Sequence, residues 1–402
     1  MYSDMRPLYK ILLSLSLLAM GFTSAAQQKE WISTWAPALQ IAEPHNTPPV
    51  SLEGNSLLQI LQVSSGGKEL RVRLSNIFNE EETVIRSVEI ARACSMGAVP
   101  DYKPGSLRKV TFGGNRSFTI GAGKSICSDP VKLRIRDREN LAVIIHFDKV
   151  SSSVITSHPG SRTTSYIAGG DTMDFSEAVR TDHWYILSGI EVPARPDSRL
   201  IAVLGDSITD GRGTTTNGQD RWSDVLSRRL LEDASTKHVA VVNKGLGGNC
   251  ILEGGLGPVG AERYQRDLFD EPGVRYIILF EGVNDIGPSK DAVATVAGIE
   301  KTYREIIAKA HRDGIKVFGA TIMPFEGNGY FSEEHETARQ ALNGWIRTHE
   351  GFDGVIDFDA VMRDPEHPSR LQEKYLFEND WLHVNASGYH DMGMCIDLNL
   401  FR

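Results

Sequence analysis

Only four cysteines occur in the 402 residues, Cys94, Cys127, Cys250 and Cys395, and none belongs to a Cys-x-x-Cys pair. That removes the usual spacing of a zinc site and of a thioredoxin-type redox site. Positive charge is also in short supply: 43 Lys and Arg stand against 52 Asp and Glu, for a formal charge of -9. With no basic stripe, a protein that grips nucleic acid by neutralising phosphates is excluded. The glycines after the first strand of the second half lack the Gly-x-Gly-x-x-Gly spacing, and no Gly-Lys-Ser/Thr lies in a phosphate-loop context, so dinucleotide and phosphate-loop readings fall away. Gly-x-Ser-x-Gly is missing too, which sets aside the hydrolase fold built on that elbow.

The first 26 residues read as a secretory signal peptide. Arg6 and Lys10 form a positive start, residues 11–22 an apolar stretch, and Thr23-Ser24-Ala25-Ala26 a small-residue cleavage site. About a dozen apolar residues are too few to cross a bilayer, which needs about 20. The expectation is an exported protein, periplasmic or extracellular, with no stable membrane insertion once the signal is removed. Export permits disulfides. Cys94 with Cys127 and Cys250 with Cys395 are possible pairs, and buried free thiols are the alternative, favoured for Cys395 on an apolar helix face.

Residues 27–192 read as a β-rich accessory domain. Short β-branched or alternating runs at 57–63, 69–74, 84–91, 109–112, 141–147 and 185–192 are separated by Gly, Asn, Asp and Pro, the pattern of an all-β sandwich. Residues 193–199 form a linker, with Pro193 and Pro196 removing backbone donors. From residue 200 to 402 the rhythm changes to strands alternating with helix-length stretches. The predicted strands lie at 200–204, 239–243, 276–280, 316–321 and 354–358, and the helices at 222–231, 259–268, 292–312, 333–348 and 386–399. Five such units predict an α/β fold with a five-stranded parallel sheet between helices. Ligands bind such sheets beyond the carboxyl ends of the strands.

Four segments fall where that rule places a site: Gly205-Asp206-Ser207-Ile208, Gly245-Leu246-Gly247-Gly248-Asn249, Gly282-Val283-Asn284-Asp285 and Asp380-Trp381-Leu382-His383. Ser207, on a sharp turn after the first strand, can present its hydroxyl and its own amide to an ester. A hydroxyl attacks only when a base takes its proton, and His383 is the candidate base. Asp380, three residues earlier, would hold one imidazole tautomer. His390 ranks below His383 because no carboxylate precedes it at the matching distance. Gly248 can bring a backbone N–H close to a substrate oxygen, and the Asn284 side chain can add a donor, giving an oxyanion hole of Ser207, Gly248 and Asn284.

These four segments resemble the four sequence blocks of the SGNH, or GDSL, hydrolase family, and the resemblance covers residues 200–402. It implies a flavodoxin-like three-layer domain, Ser207 as nucleophile, Gly248 and Asn284 as oxyanion donors, His383 as base and Asp380 as its partner, with no metal and no cofactor. The longer run from Asp206 to Asp224 resembles a subfamily of arylesterases and acylhydrolases linked to xylan degradation. The expected activity is hydrolysis of short acyl esters, above all O-acetyl, on a small molecule or polysaccharide, with aryl or lipid esters as the alternative. A different class of reading makes the β-rich half a glycan binder, with Trp31, Trp35, Tyr102 and Trp184 stacking on sugars; exposure of those rings is the discriminator. Arg212, Arg221 and Trp222 could contact substrate or tie the first loop to its helix. Oligomeric state is left open.

Overall fold

The computed structural model describes residues 30–151 and 153–402; the signal-peptide segment 1–26 lies outside the described residues. Residues 31–402 form one compact unit. In the β-rich part, an antiparallel sheet runs in the order Val179–Thr181, Ser165–Ala168, Ser56–Gln62, Asn140–Lys149, Thr83–Arg92, Arg108–Val110, with Phe118–Ile120 also paired to Thr83–Arg92. A second sheet orders Trp31–Trp35, Leu187–Pro193, Arg71–Ser75 and Ser125–Cys127. Side chains alternate across a strand. Leu57 and Leu61 therefore enter the main core with Val72, Leu74, Val143 and Ile190, while Leu58 and Ile60 face a smaller cluster with Ile144, Tyr166 and Phe175. Both faces of Ser56–Gln62 are covered, and the buried Gln59 within it bonds the Tyr185 backbone.

The expected strand at 185–192 is two. Ile186 takes a positive φ of 64°, and that kink sends Trp184–Tyr185 to a small sheet with Thr156–His158 and Gln40–Ile41, while Leu187–Pro193 joins the second sheet. The small sheet matters because it delivers His158 and its successors to the catalytic side of the molecule.

Arg199–Gly205, Val239–Gly245, Val274–Phe280, Lys316–Ala320 and Gly354–Ile356 form the five-stranded parallel sheet in the order second, first, third, fourth, fifth. The first strand lies inside, and Leu200 through Leu204 are fully buried, as expected for a strand covered on both faces. Register aligns Gly205 with Gly245 on one side and Phe280 on the other, so three strands end level and their following loops share one edge. Helices Ala292–Arg312 and Glu333–Thr348 begin and end at the predicted residues; the Asp291 and Ser332 side chains accept first-turn amides at their N-termini. The last helix stops earlier than expected, at Cys395, where Ile396 turns extended (φ -69°, ψ 124°) and a separate 3-10 turn covers Leu398–Phe401. The stretch at 259–268 is a short α-helix, Gly260–Tyr264, running into a π turn, Gln265–Phe269.

All four thiols are free. Cys94 follows the Thr83–Arg92 strand of the first sheet whereas Cys127 ends a strand of the second, and Cys250 lies buried beside Asn284 whereas Cys395 closes the last helix. Both expected pairs are thus split between different surroundings. Cys395 is exposed rather than buried, its thiol donating to the Met392 carbonyl.

A buried ionic network joins the β-rich residues to the parallel sheet. Glu271 accepts from Lys244, Arg73 and Ser33, each at 2.6 Å, and Lys244 also donates to the Pro37 carbonyl at 3.1 Å. Burial raises the Glu271 carboxyl, but Arg73 and Lys244 overcome that and hold it at about 2. Its contribution to stability is therefore complete above the ordinary carboxyl range and lost as pH falls toward 2.

Candidate active site

The first parallel strand ends at Gly205, and a one-turn helix, Ser207–Asp210, begins at once, its Ile208 amide capped by the Asp206 side chain at 2.8 Å. Ser207 thus sits in the first turn of a helix, where backbone N–H groups have no intrahelical partner. Its hydroxyl lies 2.7 Å from His383 Nε2. On the far side of the ring, His383 Nδ1 meets Asp380 Oδ2 at 2.6 Å, and the other Asp380 oxygen accepts the Leu382 and His383 amides at 2.9 and 2.8 Å. Burial would raise the Asp380 carboxyl, yet these hydrogen bonds bring it below its ordinary value. An ionised carboxylate can only accept, so Nδ1 carries the proton and Nε2 is free to receive the one on Ser207. The carrying loop is tight: Glu378, Asn379 and Trp381 all have positive φ, and Asn328 donates to the Asp380 carbonyl at 2.7 Å.

Ser207, Gly248, Asn284 and His383 line one cleft of about 390 Å³. Gly248 has φ +66°, a left-handed conformation that glycine adopts without cost. Asn284 donates one amide hydrogen to the Asn249 carbonyl at 2.9 Å, and its oxygen accepts from Tyr330 at 3.2 Å. With both heavy atoms oriented, the second amide hydrogen remains available. Asp285 accepts the Ile251 and Leu252 amides at 2.9 Å, which fixes the loop after the second strand to the loop after the third.

Arg263 is the residue that sequence reasoning missed most completely. Its guanidinium, with the residue 1% exposed, donates to the carbonyls of Gly205 (3.0 Å) and Lys244 (2.7 Å), to Asn249 Oδ1 (2.9 Å), and to Asp267 (3.0 Å) and Glu281 (2.8 Å). One side chain therefore ties the ends of the first three strands. A lone arginine in a short helical stretch carries no sequence signal for such a role. Around it, burial raises the Glu281 carboxyl to about 7 and Asp285 to about 6, and pushes Asp206 well above its ordinary value. The folded protein then holds protons that the unfolded chain releases above pH 4.5 or so, and stability declines as pH rises through 7. We expect Tm to fall between pH 5 and pH 8, with a smaller fall in Glu281→Gln; an unchanged slope in that variant would remove Glu281 as the cause.

The β-rich part supplies one wall. His158 Nε2 meets the Asp210 carboxylate at 3.0 Å and its Nδ1 lies 2.9 Å from the Ala38 carbonyl. Gly160 follows, so close that a Cβ there would stand 1.7 Å from Asp210 Oδ2. Gly160→Ala must push aside the buried Asp210 carboxylate at the end of the helix that starts at Ser207, and misplacement of about 1 Å at a reacting group can cost about 100-fold in rate. We expect kcat/KM to fall by that order with far-UV circular dichroism retained; normal kcat/KM would show that the wall can yield.

Arg221 and Trp222 have structural positions. Arg221 donates to the Asp210 and Ser161 carbonyls at 2.8 and 2.5 Å, and Trp222 is fully buried against Phe358 and Phe280. Arg212 instead lines the cleft. His390 is exposed and pairs with Asp391, away from the cleft lining. The aromatics proposed for sugar stacking are occupied. Trp35 packs edge-on to Trp184, whose Nε1 donates to the Ile60 carbonyl; Arg71 covers Trp31; and Tyr102 lies against the smaller core cluster.

A serine, a histidine and an aspartate linked in this order at the carboxyl edge of such a sheet define a carboxylic ester hydrolase. Residues 203–390 match the model of the GDSL-like lipase/acylhydrolase family. No curated protein matches the chain. Among solved structures, it is similar to a GDSL-like lipase from Bacteroides thetaiotaomicron (16% identity, 52% of this chain and 90% of that one, TM-score 0.38). It is also similar to a carbohydrate acetylesterase from Sinorhizobium meliloti (15% identity, 49% and 95%, TM-score 0.38). A family two carbohydrate esterase from Clostridium thermocellum, solved with cellohexaose, aligns over 90% of this chain and 96% of its own at 14% identity and a TM-score of 0.37. Among the described residues, no helix is long and apolar enough to cross a membrane, and no group of His, Cys, Asp and Glu is placed to hold a metal ion.

Proposed function

We propose that the protein is an exported esterase that removes short acyl groups, above all O-acetyl, from carbohydrate through an acyl-serine intermediate. The observation that carries the reading is the chain of hydrogen bonds from Asp380 through His383 to Ser207 at 2.6 and 2.7 Å, opening on a cleft whose lining includes Gln40, Asn46 and His183. Ser207 Oγ attacks the ester carbonyl while His383 Nε2 takes its proton. The oxyanion formed is held by the Ser207 and Gly248 amides and the free hydrogen of Asn284. His383 then gives its proton to the departing alcohol, water enters, and the same base activates it to release the carboxylic acid and restore Ser207.

Two features favour a small acyl group on a polar alcohol. Leu256 touches Gly248 and narrows the space next to the oxyanion donors, while Gln40, Asn46 and His183 offer hydrogen-bonding groups across the cleft. The positive start, apolar stretch and small-residue site of residues 1–26 support export. The test is acetate release from acetylated xylan oligosaccharides beside p-nitrophenyl acetate, with Ser207→Ala as control. Release from both that vanishes in the variant supports the reading, hydrolysis of the aryl ester alone keeps the mechanism and discards the xylan-type substrate, and silence on both with a folded protein discards the short acyl group.

A further inference from the structure

We infer that the cleft is built for an ester whose alcohol part carries a carboxylate, a uronic acid rather than a neutral sugar, and that Arg162 is the residue that selects it. The inference rests on the esterase reading above and adds the charge of its substrate.

The charged side chains of the cleft are unequal in one respect. Its acids are already engaged: Glu43 accepts from Asn46 at 2.8 Å and from Gln40, and Asp210 is paired with His158. Its two arginines, Arg162 and Arg212, have no side-chain hydrogen bond or ion pair among the described residues, and Arg162 Nε is buried without a partner. In a chain of net charge -9, an unpaired guanidinium facing a site is not a by-product of excess base. A buried donor left unsatisfied is costly unless something arrives to accept from it. A planar carboxylate fits the guanidinium fork at two points, which a hydroxyl cannot do. Leu256 puts an apolar side chain over Gly248, where an added Cβ would meet it at 3.0 Å, so the anion is assigned to the alcohol rather than to the part beside that oxyanion donor.

Arg162 is held there by force. It has φ +50°, a conformation uncommon for a residue with a side chain. The loop after the nucleophile imposes it: Asn217 donates its amide to the Arg162 carbonyl and accepts the Thr164 amide, both at 2.8 Å, Gln219 donates to Thr163 at 2.9 Å, and Arg221 takes the Ser161 carbonyl. Asn217 and Gln219 are themselves left-handed, at 64° and 50°. Backbone strain over-determined by its surroundings is a mark of functional placement. Two loops from opposite halves of the chain thus fix the backbone that carries one cation into the cleft lined by Ser207.

The experiment compares kcat/KM for mono-O-acetylated methyl galacturonoside and mono-O-acetylated methyl galactoside, which differ only at C6, in wild type, Arg162→Gln and Arg162→Asn. Asparagine tolerates the left-handed backbone, so that variant separates loss of charge from loss of fold. The expected wild-type ratio is at least tenfold in favour of the uronate, and it collapses toward one in both variants whatever their absolute rates. A wild-type ratio near one, or a preference that survives both substitutions, overturns the inference. Since p-nitrophenyl acetate has no carboxylate on either part, its Ser207-dependent hydrolysis reports separately on the esterase reading, and loss of that dependence would overturn the esterase reading and the uronate inference with it.

Discussion

Ser207→Ala is expected to lower kcat on p-nitrophenyl acetate by roughly 10⁴-fold or more, and His383→Ala by a similar factor, by analogy with other serine–histidine sites. Both residues act in one proton transfer, so the double variant should be little worse than either single one. Asp380→Asn is expected to cost less, on the order of 10²- to 10⁴-fold, because an amide can present the wrong partner to Nδ1 and favour the unproductive tautomer. None of these side chains holds the core together: Ser207 and His383 touch across a cleft, and Asp380 caps its own loop through two amides. Unfolding midpoints should therefore remain close to wild type. The check is steady-state kinetics beside a thermal melt on the same preparations. Turnover within a few fold of wild type in either of the first two variants would sink the assignment of nucleophile and base.

Arg263→Ala should have the largest effect on stability. The guanidinium is enclosed by Glu281, Asp267 and the strand-end carbonyls of Gly205 and Lys244. Removing it leaves Asp267 with Arg266 alone and leaves the Glu281 carboxyl and the strand-end carbonyls buried without this donor, at a cost of about 3–5 kcal/mol. Total stabilities run only about 5–15 kcal/mol, so much of the fold's margin would go. Arg263→Lys keeps the charge but cannot reach five acceptors from one point, and an intermediate loss is expected. Urea unfolding of both variants measures this, and a loss below about 1 kcal/mol in the alanine variant would show that the three strand ends hold without their common tie.

The four segments that supply the candidate catalytic groups stand out because the chemistry expected of them restricts residue type. A serine needs a base, the base needs a carboxylate, and the oxyanion needs close backbone amides, so Ser207, His383, Asp380, Gly248 and Asn284 stand out even among many serines and glycines. The parallel sheet was legible for a different reason, since strands covered on both faces leave unbroken apolar runs such as 200–204. Helix ends were readable where a capping side chain marks them, at Asp291 and Ser332, and misread at 386–399, where the sequence stays apolar while the backbone turns extended at Ile396. The split at Ile186 was likewise hidden, because neither a β-branched residue nor its neighbours announce a positive φ.

What the sequence determined by itself is the class of reaction, ester hydrolysis: the candidate groups for it occur in four short segments, and local pattern alone puts three of them at strand ends. What only the tertiary structure decided is the shape and charge of the space around that reaction. Pro159, Gly160 and Arg162 reach the cleft because Thr156–His158 pairs with Gln40–Ile41 and Trp184–Tyr185. The Gly211–Arg221 stretch then grips the turn that follows. Such contacts join residues tens to hundreds of positions apart, and no local spacing encodes them. They depend on strand register and on which buried charges find partners, both of which are settled only when the whole chain has packed.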